Sequence, residues 1–133
     1  MRSLSGASLA SAAVLALVFA PACSKVGELK AMKSFKTANV AYQGQDFKKA
    51  AQLYEETIQA APETAQAHQA YFFLGNSYDQ QYKPSKKGEA DNDTLLNKAA
   101  QNYQLAAEKL STSSDTNDKK LGKLSLDRVF RIP

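Results

Sequence analysis

A six-residue motif with helical spacing occurs twice in this chain, and the repetition constrains the fold more than any other feature. Residues 49–54 read KAAQLY and residues 98–103 read KAAQNY, 49 positions later. In each copy a small Ala stands four residues before a Tyr. Residues four apart share one face of a helix, and small residues there allow another helix to approach closely. A duplicated phrase of this kind predicts stacked helical repeats.

The residues around the first copy predict a pair of antiparallel helices. The first helix is expected to end near Gln43. The turn 44–46 supplies Gly44 for a left-handed conformation and Asp46 to cap the second helix. That second helix is expected to stop before Pro62, which cannot continue it.

A second helix pair follows, and a polar loop at about 83–93 is inserted between its two helices. The loop is rich in Lys, Asp and Asn and contains Pro84 and Gly88, so we expect it to be solvated and mobile. The pair is expected to end near Leu110. Apolar residues in 119–130 then recur at spacings that predict a short amphipathic closing helix.

The N-terminus has the pattern of an export signal. Arg2 provides a positive charge, residues 4–20 form a largely apolar run, and small residues precede Cys23. The run is shorter than the roughly 20 residues that span a bilayer comfortably. Cleavage before Cys23 is therefore expected.

Cys23 is the only cysteine, and its position resembles the lipobox of bacterial lipoproteins. The resemblance implies a signal peptide over 1–22 and a Cys23 that carries a diacylglyceryl group and acyl chains such as palmitate, which would hold the protein on the membrane. Ser24 stands where an Asp would imply inner-membrane retention, so the resemblance implies the outer membrane, facing the periplasm. Two alternatives are an ordinary signal-peptidase site at residues 20–22, which would release a soluble exported protein, and an uncleaved anchor.

Small and large residues alternate through both helix pairs in a fixed order. The residues expected to pack the repeats together are Ala38, Ala50, Tyr54, Leu74, Gly75, Tyr78, Ala99, Tyr103 and Ala106. Their order resembles the tetratricopeptide repeat (TPR), and the chain as a whole resembles a bacterial TPR lipoprotein. Residues 34, 37 and 41 depart from the family pattern in the first helix.

The resemblance implies an all-α fold of TPR-like antiparallel helix pairs, forming a short right-handed superhelix behind the signal segment. Residues 23–33 would be the lipidated N-terminus and a tether, and residues 34–111 the two helix pairs. Residues 112–133 would be a linker with either a capping helix or a truncated third repeat.

The same resemblance implies a concave surface that binds a segment of another protein, with aromatic rings for apolar anchoring and amides for a peptide backbone. The candidate residues are Phe35, Asn39, Tyr42, Gln43, Gln69, Phe72, Asn76, Asp79 and Gln80. An alternative is that Phe35 and Phe72 simply fill the core, as apolar helical residues usually do.

Other chemistry is thinly represented. His68 is the only histidine, so a zinc site or a nucleophilic triad lacks its parts, and we expect a surface residue. Residues 91–93 are Asp-Asn-Asp but lack the Gly and Glu of a calcium loop, so Asn92 or Asp93 is expected to cap the following helix. Neither catalysis, a cofactor nor a metal is predicted.

The formal net charge is +4, and Arg2 is the only charge in the signal segment. So small a surplus argues against a nucleic-acid partner. Lys86, Lys87 and the basic residues of 119–131 are either solvated charge or contacts to anionic lipid. The leading hypothesis is a membrane-anchored adaptor between envelope proteins. The alternative is a structural protein that associates with itself.

Overall fold

The computed structural model describes residues 20–133, so most of the expected signal segment lies outside the described residues. The described residues form five α-helices and no strand. The helices are α1 (Ala20–Gln43), α2 (Phe47–Ala60), α3 (Ala65–Gln81), α4 (Ala90–Ser111) and α5 (Thr116–Arg131), with a short 3-10 helix at Pro84–Lys86. The fold of this part of the chain is therefore all-α. None of its helices combines the length and apolar character needed to cross a membrane.

The first helix begins earlier than the sequence indicated. Residues 23–33, which were expected to include a tether, belong to α1. Ala31 is only 1% exposed, and a Cβ placed on Gly27 would lie 2.5 Å from the carbonyl oxygen of Ala60. The chain is thus packed against α2 from Gly27 onward, and this segment is part of the folded unit.

The turn between α1 and α2 corrects one sequence prediction. The left-handed residue is Gln45, with φ 60°, and not Gly44. The backbone N–H of Asp46 donates to the carbonyl of Ala41 at 2.9 Å, and that of Gln45 donates to Tyr42 at 3.0 Å. This is the Schellman arrangement, whose left-handed position falls one residue after the glycine here. Asp46 then caps α2, because its Oδ1 accepts from the N–H of Lys49 at 3.1 Å.

The inserted loop is exposed from residue 83 to residue 90. Hydrogen bonds between Asn92 and the backbone of Lys83 close the loop at its base. Asn92 is 6% exposed. Its Oδ1 accepts from the N–H of Lys83 at 2.9 Å, and its Nδ2 donates to the Lys83 carbonyl at 3.0 Å. Asp93 accepts from the N–H of Gly88 at 3.0 Å. The prediction that Asn92 or Asp93 is the N-cap was wrong: both lie inside α4, whose N-cap is Glu89.

Each helix packs against the next one in the chain, and the odd-numbered helices also touch, α1 against α3 and α3 against α5. All nine residues expected to pack the repeats are buried. Gly75 marks a close crossing of α3 and α4, because a Cβ there would lie 3.0 Å from Cδ1 of Tyr103 and 3.1 Å from the Ala99 carbonyl oxygen. Small residues therefore set the spacing between helices, as the sequence indicated.

The closing helix α5 covers the end of the second pair. Asp115 caps it by accepting from the N–H groups of Asn117 and Asp118. The carboxylate of Asp118 is buried and accepts from Nε2 of Gln69 at 2.7 Å and from Oγ of Ser113 at 2.8 Å. These bonds fix α5 to α3 and to the preceding turn.

Candidate partner-binding cleft

The first helix pair holds a Phe, an Asn and a Tyr in a defined cluster. The rings of Phe35 and Tyr54 lie 5.9 Å apart between centroids and are tilted by 60°. The Tyr54 hydroxyl donates to Oδ1 of Asn39 at 2.7 Å. Phe35 and Asn39 are four residues apart on α1, so one turn of helix presents both to the same Tyr of α2.

The second helix pair repeats this cluster with Phe72, Asn76 and Tyr103. The Phe72 and Tyr103 rings lie 5.7 Å apart and are tilted by 52°. Nδ2 of Asn76 donates to the Tyr103 hydroxyl at 3.1 Å. The two pairs are therefore built alike in three dimensions, although the direction of the Asn–Tyr hydrogen bond is reversed.

A hydrogen bond joins the two clusters across the boundary between the pairs. The Tyr42 hydroxyl donates to Oδ1 of Asn76 at 2.6 Å, so Asn76 uses both ends of its amide. On the far side, the Tyr103 hydroxyl lies 3.5 Å from Oδ2 of Asp79. The result is a continuous polar path from α1 through α3 to α4, which satisfies groups that would otherwise be buried without partners.

Burial keeps the Tyr42 and Tyr103 hydroxyls in their neutral form. Burial raises the pKa of Tyr42 and, more strongly, that of Tyr103, whereas the nearby Arg128 guanidinium on α5 acts in the opposite direction on both. The net shift is upward for both hydroxyls. Each therefore remains a hydrogen-bond donor well above neutral pH.

The nine candidate binding residues differ in exposure. Phe72 is 6% exposed and Asn76 is 5% exposed, which places both in the interior. Phe35, Asn39, Tyr42, Gln69 and Asp79 are partly buried, whereas Gln43 and Gln80 are exposed. Phe72 belongs to the core and Phe35 packs against it, as expected from the alternative in which these two rings fill the core. Gln69 is held by Asp118 rather than turned toward the others.

The exposed candidates meet at a cleft of about 430 Å³ near the C-terminal ends of α1 and α3. We call this the α1–α3 cleft; it is lined by Tyr42, Gln43, Gln45, Phe47, Asn76 and Gln80. Sequence reasoning missed Gln45 and Phe47. Phe47 is the first residue of α2, and its ring meets that of Tyr42 edge-on at 5.5 Å. Aromatic edges and primary amides thus share one small surface.

His68 and Cys23, which the sequence also singled out, do not line this cleft. The imidazole of His68 is more buried than expected, at 23% exposure, with Nε2 3.9 Å from a Glu63 oxygen. Within residues 20–133, no group of three or more His, Cys, Asp or Glu is placed to hold a metal. Cys23 is exposed near the start of α1.

Comparison with known proteins adds no relative. No protein-family model, curated protein or solved structure matches this chain. A function for the chain therefore depends on the chemistry of the α1–α3 cleft, on the repeated cluster and on the N-terminal pattern.

Proposed function

We propose that this protein is a membrane-anchored, TPR-like adaptor of the bacterial cell envelope that holds a segment of another protein in the α1–α3 cleft. The observation that carries the proposal is the repeated Phe–Asn–Tyr cluster. Two helix pairs with the same internal contacts are typical of a repeat array, and such arrays form extended binding surfaces. The proposed architecture is a short right-handed superhelix. In it, α5 occupies the position that the first helix of a third pair would have.

The lining of the cleft supports a polypeptide as the ligand. Tyr42 and Phe47 offer ring surface for an apolar side chain, and Gln43, Gln45 and Gln80 offer amides that pair with a peptide backbone. The last turns of α1 and α3 contain no basic residue, so the negative ends of their helix dipoles lie near the cleft, while the positive Arg128 guanidinium on α5 also acts on Tyr42. A segment that presents backbone N–H donors fits this surface best.

The proposed location follows from the N-terminal pattern. Lipidation of Cys23 would place the adaptor on a membrane, and the resemblance to outer-membrane lipoproteins favours the periplasmic face of that membrane. The exposure of Cys23 is compatible with such a modification. Neither catalysis nor nucleic-acid binding forms part of the proposal.

Crosslinking in intact cells tests the adaptor. A photoreactive residue replaces Gln43 or Gln80 in the cleft, and in matched controls it replaces Gln52 or Gln101, two exposed glutamines on α2 and α4. We expect one protein to be captured from both cleft positions and from neither control. Equal capture from all four positions, or capture of lipid alone, would contradict the proposal.

Self-association is the second candidate, and one surface favours it. Leu126 is 51% exposed and Phe130 is 81% exposed on α5, and Leu126 borders a groove with the small residues Ala107 and Gly122. An exposed apolar surface beside a groove is a candidate contact between copies. Light scattering of the chain and of a Phe130→Asp variant separates the two candidates, because only self-association predicts a concentration-dependent dimer that the substitution removes.

A further inference from the structure

The outer side of α1 carries a stripe that no other helix of residues 20–133 covers. Its members recur at intervals of three and four, so they lie along one side of the helix: Val26, Leu29, Lys33, Lys36 and Val40. Val26 and Leu29 are each 69% exposed, and Val40 is 65% exposed. We call this the outer stripe. The opposite side of α1 is buried, with Ala31 at 1% and Ala38 at 0% exposure.

The charges of the outer stripe are unpaired within the described residues. Lys30, which is exposed but lies outside the stripe, forms an ion pair with Glu56 of α2 at 3.3 Å. Neither Lys33 nor Lys36 is within ion-pair distance of a carboxylate in residues 20–133. The stripe therefore combines apolar side chains at both ends with two uncompensated positive charges between them.

We propose that the outer stripe docks α1 onto an anionic lipid surface, with its long axis along the membrane. Valine and leucine side chains would enter the boundary between head groups and acyl chains, and the lysines would reach the phosphates. This deepens the proposed function, because it rests on the N-terminus being held at a membrane.

The continuity of α1 favours this occupant. The helix runs unbroken from Ala20 through Cys23 into the packed core. At about 1.5 Å of rise per residue, Val26 lies within about 5 Å of Cys23 along the axis and Leu29 within about 10 Å. An anchor at the start of a rigid helix holds the outer stripe at the lipid surface and leaves no flexible tether to move it away.

The same charges disfavour a second copy as the occupant. Lys33 is the middle residue of the outer stripe, so a two-fold symmetric contact between identical stripes would bring the lysines of both copies together. Like charges placed opposite one another across an interface oppose association. A lipid surface that contains phosphatidylglycerol carries the opposite sign.

The test uses the full chain with Cys23→Ser, reconstituted into phosphatidylcholine vesicles with or without one quarter phosphatidylglycerol. A single new cysteine, at Leu29→Cys or at the control Leu105→Cys on α4, carries an environment-sensitive fluorophore. Leu105 is also exposed, at 37%. Phosphatidylglycerol is expected to lower iodide quenching about threefold at position 29 and to leave position 105 unchanged.

A charge-reversal variant completes the test. Lys33→Glu with Lys36→Glu should abolish the protection at position 29 without loss of helix, since both residues are exposed. Equal quenching at positions 29 and 105 in anionic vesicles would overturn the inference, and so would protection that survives charge reversal. Protection that rises with protein concentration without vesicles would assign the outer stripe to a second copy. The full chain retains the apolar run of residues 4–20, which replaces the lipid on Cys23 as the membrane attachment in this test. Failure of these outcomes is therefore distinct from failure of lipidation.

Discussion

Oδ1 of Asn76 on α3 accepts a hydrogen bond from the Tyr42 hydroxyl on α1 at 2.6 Å, and this bond links the two helices. The same amide donates to Tyr103 of α4 at 3.1 Å. Three helices from both pairs therefore meet at one side chain that is 5% exposed. The pairs are coupled through a single buried amide in addition to apolar packing.

Replacing Asn76 with Ala should destabilise the fold more than replacing Tyr42 with Phe. Asn76→Ala leaves two hydroxyls, those of Tyr42 and Tyr103, without this partner, at a cost of about 2–3 kcal/mol, whereas Tyr42→Phe leaves only Oδ1 of Asn76 without its partner, at a cost of about 1–2 kcal/mol. Urea denaturation gives both free energies of unfolding. In the double variant the two effects should be less than additive; full additivity would show that the two residues are not coupled.

Gly75→Ala should be destabilising even though Ala is the better helix former. The new methyl would lie 3.0 Å from the Tyr103 ring and 3.1 Å from the Ala99 carbonyl oxygen. Overpacking of this kind costs about 1–3 kcal/mol, which exceeds the gain of up to about 1 kcal/mol in helix propensity. Thermal unfolding measures the difference.

Gly44→Ala is the matched control for Gly75→Ala. A Cβ at Gly44 meets no atom closer than 3.4 Å, and Gly44 does not have a positive φ. This variant should be neutral or slightly more stable, because it reduces the entropy of the unfolded chain. A Gly75→Ala protein as stable as Gly44→Ala would show that α3 and α4 do not cross so closely.

The order of the helices could be anticipated from the chain, because small and large residues alternate at helical spacing. Among the expected turn and cap residues, however, only Asp46 has the expected role, since the left-handed residue is Gln45 and the N-cap of α4 is Glu89. The start of α1 could not be anticipated. The side of α1 that packs against α2 before Ser34 consists mainly of Gly27 and Ala31, whereas the larger apolar residues Val26 and Leu29 lie on the exposed side. A segment buried through small residues looks like a linker when only hydrophobicity is read.

The role of the asparagines was also missed, although a signal for it was present. Phe35 with Asn39 and Phe72 with Asn76 form the same Phe-x-x-x-Asn pattern on the first helix of each pair. Aligning these patterns would have indicated a shared internal role. Which amides face a partner and which face a buried tyrosine depends on how α2 and α4 dock, and one sequence does not specify this.

Gly27→Ala tests whether the segment expected to be a tether is packed. Its Cβ would lie 2.5 Å from the Ala60 carbonyl oxygen, a backbone atom that cannot move aside easily. We expect a loss of about 1–3 kcal/mol from overpacking and faster amide exchange over residues 23–31. Exchange in this segment as fast in the parent protein as in the variant would instead identify a frayed tether.

Intact-mass measurement with and without Cys23→Ala tests the proposed lipid anchor. The parent protein isolated from bacterial membranes should be shortened to Cys23 and heavier than that polypeptide by its acyl chains, because the modified thiol is the only one in the sequence. The variant should lack the acyl mass. A difference between the two proteins equal to the substitution alone would exclude lipidation and favour either of the other two N-terminal outcomes.

Stability should be level through neutral pH and fall above about pH 10. Burial raises the pKa of Tyr54, Tyr78 and Tyr103 in the folded protein, while the unfolded chain titrates near 10. Above that pH the unfolded state binds fewer protons than the folded state, so the free energy of unfolding decreases as pH rises. Tyr103→Phe should be less stable than the parent at pH 7, having lost the bond from Asn76, but should decline less steeply in alkali. Urea denaturation across this range gives both slopes, and parallel declines would show that Tyr103 does not titrate with unfolding.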